Sequence, residues 1–469
     1  MLEFDLFVIG TGPAGQRAAV QAAKLRKRVG ICERREVVGG VCVNTGTIPS
    51  KTFREAVLYL TGYQQRGLYG QSYKVKESIT MEDLTFRCQH VIKRETEVIR
   101  DQMRRNGITL TQGLARFVDP HTLEIRGARE TVAVKAERIV IATGTEAAVP
   151  DGVPSDRETI ITSDEILSLR TLPRTLTVVG AGVIGVEYAS IFAALGVEVT
   201  LVDKRPRLLE FVDGEIVESL SYQMRGMNCN MRLREDVASV AVEGTQRAVA
   251  VLKSGKKIVS DLLLYAIGRV GATADLNLQA AGLAADDRGR LKVNETYQTA
   301  QPHIYAAGDV IGFPALASTS MEQGRQAACH AFGIATTSLP SLFPFGIYSV
   351  PEISMVGRNE EELTADGVPY EVGVARYREI ARGAILGDDS GLLKILFHRS
   401  TRRLLGVHII GTGATELVHI GQAVLAFDGT IDYFVNSVFN YPTFAECYKV
   451  AALDGYNKVG PPSKQEDTR

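Results

Sequence analysis

Residues 5–33, DLFVIGTGPAGQRAAVQAAKLRKRVGICE, contain the pattern that decides the fold of this chain. An apolar run at 5–9 predicts a buried strand, which leads into a G-x-G-x-x-G turn at 10–15. A helical pattern follows to about Leu25, and a second short strand then ends at Glu33. The order of strand, glycine-rich turn, helix, strand and acid predicts a Rossmann-like unit that binds a dinucleotide.

Each glycine of this turn has its own physical task. Gly10 permits the tight turn, Gly12 lets the backbone approach a pyrophosphate, and Gly15 allows close packing of helix on strand. The helix N-terminus stabilises the phosphate charge, and the carboxylate of Glu33 accepts hydrogen bonds from a ribose hydroxyl. We therefore predict that these four residues bind a dinucleotide.

The whole pattern recurs at residues 175–203, TLTVVGAGVIGVEYASIFAALGVEVTLVD. Its key residues each stand 170 positions after their counterparts in the first copy, namely Gly180, Gly182, Gly185 and Asp203. A single G-x-G-x-x-G is a weak signal, but two copies, each with flanking strands, a helix and a terminal acid, are specific. The sequence therefore predicts sites for two dinucleotides.

Three further apolar runs also end at glycine. Thr143 and Gly144 follow the first run, Gly268 follows the second, and Gly308 with Asp309 follows the third. Because open parallel sheets bind ligands outside the carboxyl ends of their strands, we expect these residues near the bound dinucleotides. Beyond about residue 344, strand and helix patterns occur without another G-x-G-x-x-G, which predicts an α+β domain.

The composition limits the classes of protein that the chain can represent. Its 469 residues predict about three domains. With 53 Lys and Arg against 54 Asp and Glu, the net charge is −1, so the chain lacks the basic excess of a nucleic-acid-binding protein. It shows no apolar run long enough for a membrane span and no charged segment typical of a signal peptide. The six cysteines and seven histidines are scattered, which predicts neither a disulfide framework nor a metal site. We expect a cytoplasmic enzyme that binds neither nucleic acid nor membrane.

The stretch 39–51, GGVCVNTGTIPSK, resembles the active-site helix of the flavoprotein disulfide reductases, which include lipoamide dehydrogenase and glutathione reductase. The spacing of the two glycine-rich units, ATG at 142–144 and YAAGD at 305–309 are also similar to that family. This resemblance extends over nearly the whole chain. It implies FAD on the first unit, a nicotinamide dinucleotide on the second, and a homodimer formed through the C-terminal domain, with any higher homo-oligomer left open.

The resemblance and the polar linking stretches together predict five segments. They are the first part of the FAD-binding domain at 1–150, the NAD(P)-binding domain at 151–270, the second part of the FAD-binding domain at 271–341, the dimerisation domain at 342–458 and a disordered tail at 459–469. The predicted fold class is therefore α/β, with two Rossmann-like dinucleotide-binding domains plus a C-terminal α+β dimerisation domain.

Two departures from the family pattern concern thiol chemistry. Disulfide-reducing members have two cysteines separated by four residues, whereas this chain has Cys42 and Thr47. A hydroxyl cannot form a disulfide, so no dithiol can carry electrons away from the flavin. Those members also have a His, paired with a Glu, before a proline near the C-terminus; here Tyr441 precedes the proline and Glu446 remains. A phenol with a pKa of about 10 is a poor proton carrier at neutral pH. Together the departures predict an oxidoreductase that uses no disulfide.

The combination of Cys42 with Thr47, together with NYPT at 440–443, resembles the family members that pass hydride reversibly between NADPH and NAD⁺ through FAD. We expect this activity, with a ping-pong mechanism through flavin N5. An NAD(P)H-dependent quinone reductase, or another disulfide-independent flavin reductase, is the main alternative. Thr47 disfavours a disulfide reductase, and the intact second unit disfavours a non-catalytic FAD-binding subunit.

The resemblance also implies catalytic roles. Lys51 and Glu187 correspond to a pair beside flavin N5, where a cation favours the electron-rich flavin, and a surface ion pair is the alternative. Cys42 is expected on one helix with Lys51, beside the flavin, either in catalysis or as a small buried hydrophobe.

Further residues are expected to bind the two dinucleotides. The resemblance implies that Asp309 binds the ribityl hydroxyls and that Ala115 lies near the adenine. It also implies that a helix beginning near Ala317 points its N-terminus at flavin N1 and O2. The predicted FAD contacts are Gly10, Gly12, Gly15, Glu33, Gly40, Cys42, Lys51, Ala115, Thr143, Gly144, Gly308, Asp309 and Ala317. The predicted nicotinamide contacts are Gly180, Gly182, Gly185, Asp203, Lys204, Arg205 and Gly268. In the second unit Asp203 suits the 2′-hydroxyl of NAD, and Lys204 or Arg205 suits the 2′-phosphate of NADP.

Overall fold

A computed structural model describes residues 1–150, 152–244, 246–337 and 342–460. The strands in these ranges are β1 Leu2–Ile9, β2 Val29–Glu33, β3 Thr109–Gln112, β4 Leu114–Asp119, β5 Thr122–Arg126, β6 Thr131–Ile141, β7 Thr145–Ala147, β8 Ile160–Thr162, β9 Thr175–Val179, β10 Glu198–Asp203, β11 Cys229–Leu233, β12 Val237–Glu243, β13 Arg247–Leu252, β14 Lys257–Ser260, β15 Leu262–Tyr265, β16 Arg269–Gly271, β17 Ile304–Ala306, β18 Phe345–Ile347, β19 Ile353–Gly357, β20 Tyr370–Arg376, β21 Leu392–His398 and β22 Leu404–Ile410.

The α-helices are α1 Pro13–Lys24, α2 Gly40–Asn44, α3 Thr47–Leu60, α4 Arg66–Tyr69, α5 Met81–Arg105, α6 Val183–Ala194, α7 Gly214–Gly226, α8 Ala317–Ala331, α9 Glu360–Ala365, α10 Ala381–Leu386, α11 Ala414–Ala426, α12 Asp432–Asn436 and α13 Glu446–Val459. Short 3₁₀ turns occur at Tyr63–Gln65, Ser163–Ser168, Ala274–Leu276, Leu278–Ala281, Asp309–Ile311 and Tyr377–Glu379. None of the helices in the described ranges is long and apolar enough to cross a membrane.

The first sheet is built around β1. Its order is β3-β2-β1-β6-β5-β4, with β17 paired to β6. The strands β3, β2, β1, β6 and β17 run parallel, whereas β5 and β4 form an antiparallel extension of β6. Leu6 and Val8 of β1 pack against alanines of α1 and α8 in one core, and Phe7 packs into the core on the other face. The parallel strands thus end together at one edge, where the first glycine-rich turn lies.

The second sheet repeats this arrangement. Its order is β11-β10-β9-β15-β8, with every pairing parallel, and α6 is buried against it. Five further strands form an antiparallel sheet β12-β13-β14 and a two-stranded pair β7-β16. The predicted boundary between the NAD(P)-binding domain and the second part of the FAD-binding domain, at residue 270, lies within strand β16. The five predicted segments remain proposals.

The C-terminal part is an α+β layer, as the sequence predicts. Five antiparallel strands have the order β18-β19-β22-β21-β20 and contact α11 and α13. The mixed α/β class, with two Rossmann-like units and this C-terminal layer, is therefore confirmed. Of the predicted tail at 459–469, Val459 is the last residue of α13, and residues 461–469 lie outside the described residues.

The prediction that Cys42 and Lys51 share one helix is wrong. Helix α2 ends at Asn44 and α3 begins at Thr47. Between them Gly46 has non-helical angles, φ −103° and ψ −117°, and its N–H donates to the carbonyl of Val41 at 2.7 Å. A Cβ at Gly46 would lie 2.9 Å from Cγ1 of Val41 and 3.2 Å from its carbonyl oxygen, so a larger residue would crowd Val41 at this turn. The break directs Cys42 and Lys51 to different surroundings.

Candidate active site between two dinucleotide clefts

In the first glycine-rich turn, the packing of the protein itself requires glycine at two positions and leaves the third free of steric contact. A Cβ on Gly10 (φ +103°) would overlap the carbonyl oxygen of Ala142, and a Cβ on Gly15 would overlap that of Gly10. A Cβ on Gly12 would have no protein atom within 4 Å. The space beside Gly12 is therefore free for a ligand, as a pyrophosphate contact requires.

Glu33 anchors this turn from the end of β2. Its Oε2 accepts hydrogen bonds from the hydroxyl of Thr11 and, at 3.3 Å, from the Thr11 N–H, and its Oε1 accepts one from the N–H of Arg35 at 3.0 Å. The hydroxyl of Thr11 in turn accepts a hydrogen bond from the N–H of Gly39 at 2.9 Å. A buried carboxylate held in this way is fixed at the mouth of the turn, where a ribose would lie.

One cavity of about 1110 Å³ opens at this sheet edge. It is lined by eleven of the thirteen predicted FAD contacts, namely Gly10, Gly12, Glu33, Gly40, Cys42, Ala115, Thr143, Gly144, Gly308, Asp309 and Ala317. Gly15 and Lys51 do not line it.

The donors around this cavity fit a flavin dinucleotide. The hydroxyl oxygen of Thr143 is buried there without a hydrogen-bond partner in the described structure, as a ligand-binding group would be. Burial raises the pKa of Asp309, although a hydrogen bond of 3.1 Å from the Ser320 hydroxyl opposes the shift. Helix α8 begins at Ala317 and points its free N–H groups toward the cavity, where negative charge is favoured.

The second glycine-rich turn has the same steric division. A Cβ on Gly180 (φ +110°) would overlap the carbonyl oxygen of Ala266, and a Cβ on Gly185 would overlap that of Gly180. A Cβ on Gly182 would meet only a guanidinium nitrogen of Arg205, 4.0 Å away. The second cleft, about 1820 Å³ with its open mouth, is lined by Gly180, Gly182, Asp203, Lys204, Arg205 and Gly268 among others, but not by Gly185.

Asp203 and Arg205 form a closed pair in this cleft. The Asp203 carboxylate accepts hydrogen bonds from Nε and Nη2 of Arg205 at 2.9 and 2.6 Å, and from the N–H of Ala181 at 2.5 Å. Burial alone would raise the pKa of Asp203, but the guanidinium and the backbone N–H groups hold it below its usual value. Lys204 beside them is exposed. The three predicted residues thus lie together, with Arg205 engaged by Asp203.

Lys51 on α3 and Glu187 on α6 form an ion pair. Helix α3 begins at Thr47 in the first cleft, and α6 begins at Val183 in the second. Nζ of Lys51 lies 2.9 and 2.7 Å from the two carboxylate oxygens of Glu187, whose side chain is 5% exposed. Glu187 also accepts a hydrogen bond from the N–H of Tyr348 at 2.8 Å, and Nζ of Lys51 lies 5.0 Å from the Tyr348 ring centroid. The alternative of a surface ion pair is wrong, because the Glu187 carboxylate is buried.

Cys42 has no second cysteine at position 47 with which to form a disulfide. All six cysteines, each within the described ranges, are free. Cys42 and Thr47 both line the first cavity. Burial raises the pKa of the Cys42 thiol, although the Thr47 hydroxyl opposes the shift, so the thiol stays protonated at neutral pH. Tyr441 is 73% exposed, and Oε2 of Glu446 is buried without a hydrogen-bond partner among the described residues.

Several lining residues were not predicted from the sequence. Thr11, Arg34, Arg35 and Asp275 line the first cavity, and Tyr348 contacts the Lys51–Glu187 pair. The place of Thr11 inside the first glycine-rich turn is a usable signal. Tyr348 directly follows β18 of the C-terminal sheet and gives no sequence signal for this contact, because it stands far from both partners along the chain.

The chain matches two protein-family models. The model described as pyridine nucleotide-disulphide oxidoreductase matches residues 4–324. The model described as the dimerisation domain of pyridine nucleotide-disulphide oxidoreductases matches residues 343–452.

Curated relatives match almost the full length. A protein of Mycobacterium bovis (strain BCG / Pasteur 1173P2) named soluble pyridine nucleotide transhydrogenase is 56% identical over 461 residues, which cover 98% of each chain. A protein of Escherichia coli O1:K1 / APEC with the same name is 47% identical over 465 residues, covering 97% of this chain and 99% of the relative.

Solved structures share the fold at lower identity. The HOCl-induced flavoprotein disulfide reductase RclA from Escherichia coli is 26% identical with a TM-score of 0.86, covering 96% of this chain and 99% of that one. LpdA from Mycobacterium tuberculosis is 25% identical with a TM-score of 0.87, covering 97% of this chain and 99% of that one.

Proposed function

The chain belongs to the pyridine nucleotide-disulphide oxidoreductase family, and we propose that it catalyses NADPH + NAD⁺ = NADP⁺ + NADH with FAD as its cofactor. It is an oxidoreductase acting on NADH or NADPH. The observation that carries the proposal is Thr47 in place of a second cysteine, beside two complete dinucleotide clefts. Such a site can exchange hydride with nicotinamides but has no dithiol to pass electrons further.

The first cavity is where FAD would be held. The turn at Gly10–Gly15 would bind its pyrophosphate, Glu33 a ribose hydroxyl and Asp309 the ribityl chain. When bound, FAD supplies a centre that accepts hydride from one nicotinamide and returns it to another. Lys51 would supply positive charge beside that centre, and Glu187 holds the Lys51 ammonium in place.

The second cleft serves both nicotinamides in our proposal. Each of the two glycine-rich units can hold one dinucleotide, and the first is taken by FAD. The cleft at Gly180–Asp203 must therefore admit NADPH and NAD⁺ in turn, which makes the kinetics ping-pong. At several fixed NADPH concentrations, double-reciprocal plots against NAD⁺ should be parallel, and an excess of either nicotinamide should inhibit. Intersecting lines without product present would indicate a second nicotinamide site.

The transhydrogenase and the quinone reductase can be separated directly. The purified holoenzyme is given NADPH with either NAD⁺ or a short-chain benzoquinone, and product formation is followed anaerobically. We expect turnover with NAD⁺ to exceed turnover with the quinone at equal concentrations. Rapid quinone reduction with negligible NADH formation would favour the alternative.

We further propose that the chain acts as a homodimer in the cytoplasm. The region that matches the dimerisation model exposes large apolar side chains, notably Phe427, Val438 and Tyr441, and such side chains indicate an interaction surface. Six unpaired cysteines are consistent with a reducing compartment. Sedimentation of the holoenzyme, with Val438→Glu as the interface variant, tests the dimer.

A further inference from the structure

A segment of the C-terminal sheet contacts both helices that carry the Lys51–Glu187 pair. Residues 348–352 connect β18 to β19. Lys51 lies on α3 and Glu187 on α6, and each helix also places a second polar side chain, one turn further on, against this segment. The contacts involve backbone and side-chain groups that are almost entirely buried.

On α3 the second side chain is Arg54, which is 5% exposed. Its Nε donates to the carbonyl of Ser349 at 2.9 Å, and its Nη2 lies 3.5 Å from a carboxylate oxygen of Glu352, which is 7% exposed. Its Nη1 bonds to Glu55 at 2.7 Å. Burying a guanidinium costs free energy unless its donors are paired. Two of the three partners of Arg54, Ser349 and Glu352, belong to the segment 348–352.

On α6 the second side chain is Ser190, which is fully buried. Its hydroxyl accepts a hydrogen bond from the N–H of Val350 at 3.0 Å and donates one to the carbonyl of Glu187 at 2.9 Å. The neighbouring N–H of Tyr348 donates to the Glu187 carboxylate itself at 2.8 Å. The segment is therefore bonded directly to the side chain of Glu187 and, through the Ser190 hydroxyl, to its backbone carbonyl.

We propose that Arg54 is a positioning residue for the reaction: by holding residues 348–352 against α3, it fixes the N–H of Tyr348 on Glu187 and thereby the position of the Lys51 ammonium. This inference rests on the proposed function. When Arg54 is removed, the segment loses its bonds to α3, while Glu352 keeps its contacts with Thr415, and residues 348–352 shift away from α3. The Tyr348 N–H then leaves Glu187, which draws Lys51 closer, so less positive charge is offered to the flavin.

The test uses the FAD-loaded enzyme with Arg54→Met, Arg54→Lys and, as a matched control, Lys394→Met. Lys394 is a fully buried cation that joins the C-terminal sheet to Asp213 at 2.9 Å, away from the Lys51–Glu187 pair. The readouts are the flavin midpoint potential, the anaerobic rate of flavin bleaching by NADPH, the KM for NADPH and the thermal unfolding temperature.

We expect Arg54→Met to make the flavin potential more negative and to slow bleaching by about tenfold, the size expected from one lost charge-assisted bond, while the KM changes by less than about twofold. Arg54→Lys keeps a charge opposite Glu352 but cannot also reach the Ser349 carbonyl as the guanidinium does, so its bleaching rate should lie between those of Arg54→Met and the wild type. Lys394→Met should lower the unfolding temperature without moving the potential.

The proposal is overturned if Arg54→Met binds FAD, loses stability like Lys394→Met, and keeps the wild-type potential and bleaching rate. If Arg54→Met does not retain FAD, Ser190→Ala, which removes one hydroxyl, must shift the potential in the same direction, and an unshifted potential overturns the proposal equally. A wild type that NADPH does not bleach contradicts the proposed function instead, so the two failures are distinguishable.

Discussion

At the residue scale, the choice between NAD and NADP depends on Asp203 and Arg205, which bond to each other in the part of the cleft where each would bind a coenzyme. Asp203 suits the 2′-hydroxyl of NAD, yet both of its oxygens bond to Arg205. A 2′-phosphate would offer Arg205 a stronger partner than a carboxylate that also bonds to Ala181. An exchange of Arg205 between Asp203 and the phosphate would let one cleft accept both coenzymes.

Arg205→Ala should therefore weaken NADPH more than NADH. Loss of a charge-assisted bond to phosphate costs about 1.5–3 kcal/mol, so the KM for NADPH should rise by about 10- to 100-fold. NADH should be little affected, because Asp203 is freed to accept the 2′-hydroxyl. Lys204→Ala tests separately the second cation that suits the 2′-phosphate. Equal changes in the two Michaelis constants would refute this role of Arg205.

Cys42→Ser should keep at least about a tenth of the transhydrogenase rate, since hydride transfer needs no sulfur and the raised pKa keeps the thiol neutral. The NADPH–NAD⁺ assay and the FAD content measure this together. A loss of about a thousandfold with FAD still bound would show that Cys42 takes part in the chemistry.

At the scale of elements, different glycines of each glycine-rich turn serve folding and ligand binding. The first and third glycines are needed by the protein's own packing, and the second is needed only by a ligand. This explains why both units were predicted from the sequence: their requirements are local and recur at a fixed spacing. The break between α2 and α3 was missed, because it depends on the contact of Gly46 with Val41 rather than on a helix-breaking motif.

Gly12→Ala and Gly182→Ala should therefore fold normally and lose different ligands. The first should weaken FAD binding and the second NADPH binding, each by about 10- to 100-fold, because the added methyl occupies the place of a phosphate contact. Gly226→Ala, at the end of α7 with no neighbour within 4 Å, is the control. Titration of apoprotein with FAD and of holoenzyme with NADPH measures both. Unchanged affinities would mean that the turns do not contact the dinucleotides.

At the scale of the whole molecule, buried polar groups join the nicotinamide unit to the C-terminal sheet. Lys394 on β21 is fully buried and bonds to Asp213, which caps the N-terminus of α7, and to Glu360. The contact of Arg54 with Ser349 similarly bridges 295 positions of the chain. Such contacts could not be predicted from the sequence, because they depend on how separate units pack and leave no local pattern.

This junction predicts a pH dependence of stability. Burial lowers the pKa of His408, which faces Asp213, Lys394, Glu362 and the carbonyl of Arg358. The unfolded chain therefore binds a proton near its ordinary pKa while the folded chain does not, and stability is lost as the pH falls below about 6.5. The lowered pKa of Asp213 adds a further loss at more acidic pH.

The free energy of unfolding at fixed FAD concentration should thus decrease from about pH 7.5 to about pH 5, by at most about 1.4 kcal/mol per pH unit for each such group. His408→Gln should flatten the dependence over that interval, whereas His419→Gln, at an exposed position, should leave it unchanged. Parallel pH curves for wild type and His408→Gln would contradict this assignment.

The central claim is that one site passes hydride between two nicotinamides by way of the flavin, without a disulfide. An anaerobic stopped-flow experiment in two steps tests it most directly. NADPH alone should bleach the flavin absorption, and after NADP⁺ has been removed NAD⁺ alone should restore it while forming one NADH per flavin. Flavin that stays oxidised with NADPH, or that regains its colour only when both nicotinamides are present together, would contradict the claim.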